Sequence, residues 1–178
     1  MKQHRIALLA ALFLLLTASV GLAAAPMDHS AMSHSQDSQY TDQGFLSGMI
    51  GHHQDAVDMS TAILTTTKDK KIKTWAKGII AAQKKEIALM EALLKPLGGL
   101  EQSVYDAMRH MDMSVYGNRD ADSAFVAAMF DHHKSALTMS LSALSFSQDK
   151  RVIALAKSII ADQAKEMAEF RIWQLTSR

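Results

Sequence analysis

The sequence contains no cysteine and only two prolines among its 178 residues. The absence of thiols excludes a disulfide scaffold, a zinc–thiolate site, an iron–sulfur cluster and a cysteine nucleophile. Two prolines and eight glycines are too few for the many tight turns of a β-sandwich, so the composition favours helices. Aromatic residues make up only 6% of the chain, but 48% of it is hydrophobic, which suits one domain with a sizeable core.

The chain also lacks a strong charge of either sign. Its formal net charge is +1, and removal of the predicted leader, which contains Lys2 and Arg5, changes this value to −1. A near-neutral chain does not bind nucleic acid through charge alone, so we expect no nucleic-acid partner. What is abundant instead is methionine, with 12 residues, and histidine, with eight.

The first 25 residues have the layout of a secretory signal peptide. Lys2 and Arg5 give a basic start, an apolar run occupies 6–22, and small residues follow at 23–25. A retained membrane anchor is the alternative, but the apolar run is shorter than the about 20 residues of a spanning helix. We therefore expect a periplasmic or secreted protein with no membrane partner after cleavage.

The remaining chain carries an internal duplication. Residues 45–94 (copy 1) align with 125–174 (copy 2) at a constant offset of 80 without gaps, and 19 of the 50 pairs are identical. So regular a match indicates two copies of one structural unit within a domain spanning 45–178. Residues 26–44 are small and polar without a helical or strand period, which predicts a flexible arm.

Each copy has the pattern of a helical hairpin. In copy 1, apolar residues recur at spacings of three, four and seven over 45–64, which is typical of an amphipathic helix. Poor helix formers at 65–69 interrupt this pattern, and a second helical pattern covers 72–94. Copy 2 repeats the arrangement over 125–144 and 152–175. Two such hairpins, each with one apolar stripe, predict an all-α protein that forms a four-helix bundle.

Several polar side chains fall on the apolar faces of these helices. His52 and His53 share the inner face of the first helix with methionines, and Glu86 lies on the inner face of the second helix near Gln83. A carboxylate on an apolar face is costly to bury unless it has a partner. We therefore expect the polar residues of both copies to meet inside the bundle. The candidate inward residues are Met49, His52, His53, Met59, Gln83 and Glu86 in copy 1, with Met129, His132, His133, Met139, Gln163 and Glu166 in copy 2.

Two interpretations of this polar interior remain open. In one, the histidines hydrogen-bond to the glutamates or glutamines and form a buried network that fixes the register of the helices. In the other, imidazole and carboxylate groups hold a metal ion in the bundle core. Both can hold at once, since a glutamate can orient an imidazole that binds the metal.

Two further clusters combine methionine with histidine outside the hairpins, one in the arm and one in the connection over 95–124. An exposed segment gains nothing in packing from methionine, whereas the thioether is a soft ligand that selects Cu(I) and imidazole binds both copper oxidation states. With no thiol available, these residues predict copper binding. The candidate ligands are His29, Met32 and His34 in the arm, with His110, Met111 and Met113 in the connection.

The motif Phe-x-x-x-Met-x-x-His-His-x-x-Ala-x-x-Met, followed by Ile-Ile-x-x-Gln-x-x-Glu, occurs twice. This pattern resembles a family of secreted bacterial proteins known as domain of unknown function three hundred and five, and the resemblance covers 43–175. It implies a ferritin-like four-helix fold with the His-His pair as its signature, and copper binding in the periplasm by some members. The positions it implies for binding are Met49, His52, His53, Met59, Met129, His132, His133 and Met139.

The leading hypothesis is an exported protein that binds copper, as Cu(I), in copper homeostasis or resistance, with periplasmic copper-handling proteins as partners. A second hypothesis is a metal-dependent oxidoreductase with a core site of His52, Glu86, His132 and Glu166. Iron or manganese is less favoured, because the Glu-x-x-His motif of ferritin-like diiron proteins does not occur in this sequence. A third is a module that binds other proteins, its inward polar groups being structural. An oligomer is compatible with all three.

Overall fold

The structure is a computed structural model that describes residues 40–109 and 120–177. Over these residues the chain is helical and contains no strand, which confirms the prediction of an all-α protein. The leader, most of the arm and the segment 110–119 lie outside the described residues. The helices are α1 (Asp42–Thr66), α2 (Lys70–Leu94), α3 (Gln102–Ala107), α4 (Ala121–Phe146) and α5 (Lys150–Thr176), with a 3₁₀ turn at Lys95–Leu97.

The two hairpin turns are built in the same way. In copy 1, Thr67 Oγ1 accepts a hydrogen bond from the Asp69 N–H (3.1 Å), and the Asp69 carboxylate accepts from two backbone N–H groups in the first turn of α2 (2.6 and 3.1 Å). In copy 2, Ser147 and Asp149 make the equivalent bonds at 3.1 and 2.8 Å. Because a side-chain oxygen satisfies the free N–H groups at a helix start, each hairpin reverses direction within three residues.

Helix α1 lies at the centre of the structure, because it packs against α2, α3 and α4. The two hairpins meet chiefly through α1 and α4, whereas α2 and α5 approach each other mainly through long side chains. One such contact is the hydrogen bond from Trp75 Nε1 in α2 to Glu169 Oε2 in α5 (2.8 Å). Nearly every residue of α1 between 45 and 60 is buried, as expected for a helix that is covered on most sides.

The short helix α3, which the sequence patterns did not predict, docks on a face of α1 that carries glycines. A Cβ at Gly48 would lie 3.3 Å from Met108 Cγ, and a Cβ at Gly51 would collide with the Tyr105 carbonyl oxygen. The glycines therefore allow α3 to approach the backbone of α1 closely. The equivalent positions on α4 are Ala128 and the exposed Asp131, and α3 packs chiefly on α1 of copy 1.

Two apolar clusters occupy the ends of the helix assembly, and a polar layer separates them. Aliphatic side chains dominate the first cluster, and aromatic rings contribute to the second. The first contains Phe45, Leu46, Met49, Ile50, Met90, Leu93, Leu94, Ala136, Ala143, Val152, Leu155, Ala156 and Ile159. The second contains Ala56, Met59, Ile63, Ile72, Trp75, Ala76, Ile79, Ala121, Phe125, Val126, Met129 and Phe170. Among the described helices, none combines the length and apolarity that crossing a bilayer would require.

The packing of α3 on α1 predicts opposite effects for two glycine-to-alanine substitutions. Gly51→Ala should lower the free energy of unfolding by about 1–3 kcal/mol, because the methyl group forces α3 away from α1. The control Gly78→Ala, where nothing lies within 4 Å of the added methyl, should raise it by about 0.5–1 kcal/mol through helix propensity. Urea denaturation followed by circular dichroism measures both. A Gly51→Ala protein as stable as the Gly78→Ala protein would contradict the close docking of α3.

Candidate metal centre

The middle of α1 and the middle of α4 each contribute two adjacent histidines to the polar layer. His53 and His133 are fully buried, and His52 and His132 are only 5% and 8% exposed. We call these four residues the histidine layer. It lies between the two apolar clusters, since cluster residues precede and follow it on both helices.

Within each hairpin, one histidine is paired with a glutamate of the following helix. His53 Nε2 lies 2.8 Å from Glu86 Oε2, and His133 Nε2 lies 2.6 Å from Glu166 Oε2. An ionised carboxylate can only accept a hydrogen bond, so Nε2 is the donor in both pairs. In a neutral imidazole this leaves Nδ1 without a proton, and neither Nδ1 has a hydrogen-bond partner.

Between the hairpins, His52 and His132 stack on each other. Their ring centroids are 3.7 Å apart with an interplanar angle of 32°. His132 Nε2 donates a hydrogen bond to the backbone carbonyl of His52 (2.8 Å), so Nδ1 of a neutral His132 is also unprotonated. The Nδ1 atoms of His52 and His132 are buried without partners, as are those of His53 and His133. Four imidazole nitrogens therefore lack a hydrogen-bond partner in this interior.

The environment keeps the two stacked imidazoles uncharged. Burial, together with the positive charges that His53 and His133 can carry, lowers the pKa of His52 to about 3. Burial also holds the pKa of His132 well below its usual range, and the neighbouring His52 and His133 act in the same direction. Neutral imidazole is the form that binds metals, so no proton competes for these nitrogens near neutral pH.

Methionine side chains lie on both sides of the histidine layer. Met49 is fully buried in the first apolar cluster, and the partly buried Met139 packs against that cluster. Met59 and Met129 are fully buried in the second cluster. The structure thus brings the four predicted histidines and two predicted glutamates together, and it places the four predicted methionines in or against the adjoining apolar clusters. The other predicted ligands, His29, Met32, His34, His110, Met111 and Met113, lie outside the described residues.

Two buried serines, Ser60 and Ser140, were not among the inward residues that the sequence patterns predict, whereas Gln83 and Gln163 were. The Oγ atoms of Ser60 and Ser140 are buried without hydrogen-bond partners, as are Oε1 of Gln83 and both amide atoms of Gln163. The sequence signal for the serines is that Ser60 of copy 1 and Ser140 of copy 2 are one of the identical pairs at the offset of 80. Unpartnered buried polar atoms are costly, and they occur here at equivalent positions in both copies.

The residues present fit a soft metal better than a carboxylate-rich centre. Across the described parts of the chain, no three or more His, Asp or Glu side chains are grouped so that they could hold a metal ion. The two glutamates instead hydrogen-bond to Nε2 of their histidines. The donors left over are imidazole Nδ1 atoms and nearby thioethers, a ligand set that suits copper.

Comparison with known proteins places the chain in a family. Residues 42–175 match the family described as Domain of unknown function (DUF305). The chain belongs to the DUF305 family. Over 53 residues, this DUF305 chain is also 45% identical to an uncharacterised protein of Acanthamoeba polyphaga mimivirus. That match covers 30% of the chain and 35% of the viral protein, so the chain spans about a third of the length of this curated relative.

Solved structures share the architecture of this DUF305 chain. The Cu(II)-bound form of CopM superposes with a TM-score of 0.69 at 27% identity, covering 79% of this chain and 99% of CopM. Its Cu(I)-bound form gives 0.67 at 27% identity, with coverages of 76% and 96%. A DUF305 protein from Streptomyces coelicolor gives 0.64 at 23% identity, with coverages of 72% and 88%, and shows the shared fold.

The low pKa of His52 predicts a pH dependence of stability in the metal-free protein. Above the ordinary value of 6.5, His52 is neutral in both the folded and the unfolded state and contributes no pH dependence. Between 6.5 and about 3, only the unfolded state takes up a proton, so stability falls as the pH is lowered. The loss from this residue should approach about tenfold in the folding equilibrium constant per pH unit.

Urea denaturation at a series of pH values, on the wild type and on a His52→Gln variant, measures this contribution. The variant should show a shallower decline because glutamine does not titrate. Equal slopes for the two proteins would show that His52 is protonated in the folded state across this range.

Proposed function

We propose that this protein binds copper, and Cu(I) above all, in its histidine layer. The observation that carries the proposal is the set of four buried Nδ1 atoms without hydrogen-bond partners. Leaving such atoms unpartnered costs free energy in a metal-free fold, and coordination of a metal ion would recover it. The soft thioethers of Met49 and Met129, each three residues before a histidine of the stacked pair, favour copper over harder ions.

Glu86 and Glu166 have an orienting role in this proposal. Metal-binding histidines commonly donate their other ring N–H to a carboxylate, which fixes the tautomer and the direction of the ring. The pairs of His53 with Glu86 and of His133 with Glu166 have this geometry, at 2.8 and 2.6 Å. The same hydrogen bonds fix the register of each hairpin, so the structural network and the metal site are one arrangement.

The comparison with CopM supports copper as the ligand. CopM structures contain Cu(I), Cu(II) or silver, and almost the whole of CopM matches this chain at about 27% identity. Silver and Cu(I) are both soft ions, and the imidazole and thioether groups of the histidine layer suit such ions. The superposition on CopM, with a TM-score of 0.69, further supports a ferritin-like four-helix bundle made of two duplicated hairpins.

We further propose that the protein is exported and acts in copper homeostasis or resistance in the periplasm. The basic and apolar pattern of the first 25 residues supports export. Periplasmic copper-handling proteins are then the natural donors and acceptors of the ion. The Met/His clusters of the arm and the connection would capture copper, and the histidine layer would hold it.

Replacing both stacked histidines tests the site. His52→Leu combined with His132→Leu removes two imidazole ligands while keeping apolar volume, so Cu(I) affinity should fall by about tenfold or more. The matched control is Gln83→Leu combined with Gln163→Leu, which removes buried polar groups at the same level of both hairpins without removing an imidazole. Anaerobic titration against a Cu(I) chelator measures affinity, and circular dichroism checks that each variant stays helical.

Loss of affinity in the histidine variant but not in the glutamine variant is the expected result. Equal affinity in the histidine variant and the wild type would remove copper from the histidine layer. A wild type that binds no copper, but is purified with iron or manganese, would replace this proposal with the oxidoreductase hypothesis.

A variant of the arm tests copper capture. Replacing His29, Met32 and His34 with alanine should lower the number of copper ions bound per chain, because it removes one thioether and two imidazoles. Helicity should not change. The measurement is copper content by elemental analysis after dialysis, with an alanine substitution of Ser30, Ser33 and Ser35 as the control. Unchanged copper content would exclude a binding role for the arm.

A further inference from the structure

The second helix of each hairpin carries most of the positive charge of the described chain. Helices α2 and α5 together contain 11 Lys and Arg residues against five Asp and Glu residues, whereas α1, α3 and α4 together contain one lysine and six aspartates. All but one of the 11 basic side chains are exposed. The hairpins meet chiefly through α1 and α4, so the exposed surfaces of α2 and α5 form one side of the bundle. We call this side the basic face.

The interior engages most of the carboxylates that these two helices carry. Glu86 and Glu166 accept hydrogen bonds from buried histidines, and Glu169 accepts one from an indole N–H. These three carboxylates are only partly exposed, which leaves Glu91 and Asp162 as the exposed acidic residues of α2 and α5. The exposed lysines therefore have few counter-charges beside them, and the basic face attracts anionic groups.

The gap between α2 and α5 is closed at one end of the basic face and open at the other. At the closed end, Trp75 of α2 donates a hydrogen bond to Glu169 of α5 (2.8 Å) and packs edge-on against Phe170. The equivalent pair at the open end is Leu155 of α5 with Leu89 of α2, which cannot form such a bond, and Leu89 is 48% exposed. A groove with a volume of about 600 Å³ lies there between the two helices.

The groove combines apolar and positively charged groups. Leucine and alanine side chains from both helices line it, together with Lys85 of α2 and Arg151 of α5. Arg151 is paired with Asp149 (2.6 Å), whereas Lys85 forms no ion pair with another described residue. Asp162 adds one negative charge to the lining. An apolar gap between two helices, with a free cation beside it, suits the apolar side of a helix that also carries acidic residues.

We propose that the basic face is a docking surface for an acidic amphipathic helix of another protein, with an apolar side chain of that helix in the groove at Leu89. The acidic residues of the partner lie along the exposed lysines, and the aspartates of α1, α3 and α4 repel it from the rest of the molecule. This inference does not depend on copper binding, so either proposal can fail while the other stands.

An anionic bilayer fits the basic face less well than a protein helix does. Helices that lie in a membrane surface present large apolar or aromatic side chains to the lipid. The exposed uncharged residues of α2 and α5 are instead mainly alanines, and the large apolar residues of these helices are mostly packed in the bundle.

A model peptide tests the charge of this surface. The probe is a fluorescent helical peptide of about 20 residues with Glu and Leu at helical spacing, and its anisotropy in the presence of the purified protein gives the affinity at several salt concentrations. Binding should weaken as salt is added, and a peptide with Gln in place of Glu should not bind. Lys85→Glu should weaken binding by about tenfold, whereas Lys134→Glu on α4, which changes the net charge equally, should change it by less than about twofold.

Leu89→Ala tests the groove. Loss of the exposed leucine removes apolar contact with the peptide, so the affinity should fall by about fivefold. The matched control is Leu141→Ala on α4, where the leucine is 56% exposed and the affinity should not change. Circular dichroism checks that both variants keep the helicity of the wild type. Equal peptide affinity in Leu89→Ala and the wild type would show that charge alone binds the peptide, and would overturn the role of the groove.

Two other occupants of the basic face give different results. Sedimentation with vesicles of phosphatidylcholine and phosphatidylglycerol, in which Lys85→Glu removes binding while the peptide does not bind, would assign the face to a bilayer. A dimer in analytical ultracentrifugation that Lys85→Glu dissociates would assign it to a second copy of this chain. Either result, or a peptide affinity that Lys85→Glu and Lys134→Glu change equally, overturns the proposal.

Discussion

Burial of imidazole is the constraint on which the rest of this structure depends. Four imidazole rings in a bundle interior need hydrogen-bond partners for their polar atoms. The fold supplies a partner for Nε2 in three of them: a carboxylate for His53 and His133, and a backbone carbonyl for His132. These bonds require α1 to face α2, and α4 to face α5, in one register each. The Nδ1 atom of each of the four rings is buried without a hydrogen-bond partner. In three of the four rings, one edge therefore makes a hydrogen bond to another part of the fold, and the other edge carries a nitrogen without a partner.

The duplicated sequence does not produce a fully symmetric molecule. The turns, the helix bounds and the His–Glu pairs correspond between the copies, because the residues that form them are identical or similar. Symmetry ends at the face of α1 that carries Gly48 and Gly51, where the equivalent residues of α4 have side chains. A helix can approach a backbone closely only where side chains are absent, so this difference decides which copy α3 covers.

Much of the fold could be predicted from the sequence because helices and their ends depend on local chemistry. Asp69 and Asp149 cap the helices that follow the predicted interruptions. Two glycines with positive φ, Gly98 and Gly99, follow the first hairpin. The inward position of Glu86 was also expected from its place on an apolar face, whereas the choice between glutamate and glutamine as the partner of each histidine was left open. Helix α3 was not predictable in the same way, since six residues give too little periodicity. Nor was the stacking of His52 on His132, which depends on how the hairpins cross.

That stack joins equivalent residues of the two copies, which has a consequence for assembly. A chain with a single hairpin would contain half of the histidine layer and could complete it only by associating with a second chain. The fraction of chains with a complete layer would then depend on the protein concentration. When the hairpins are joined in one polypeptide, the second hairpin is present at an effective concentration of about millimolar or more relative to the first. The complete layer then forms at any protein concentration.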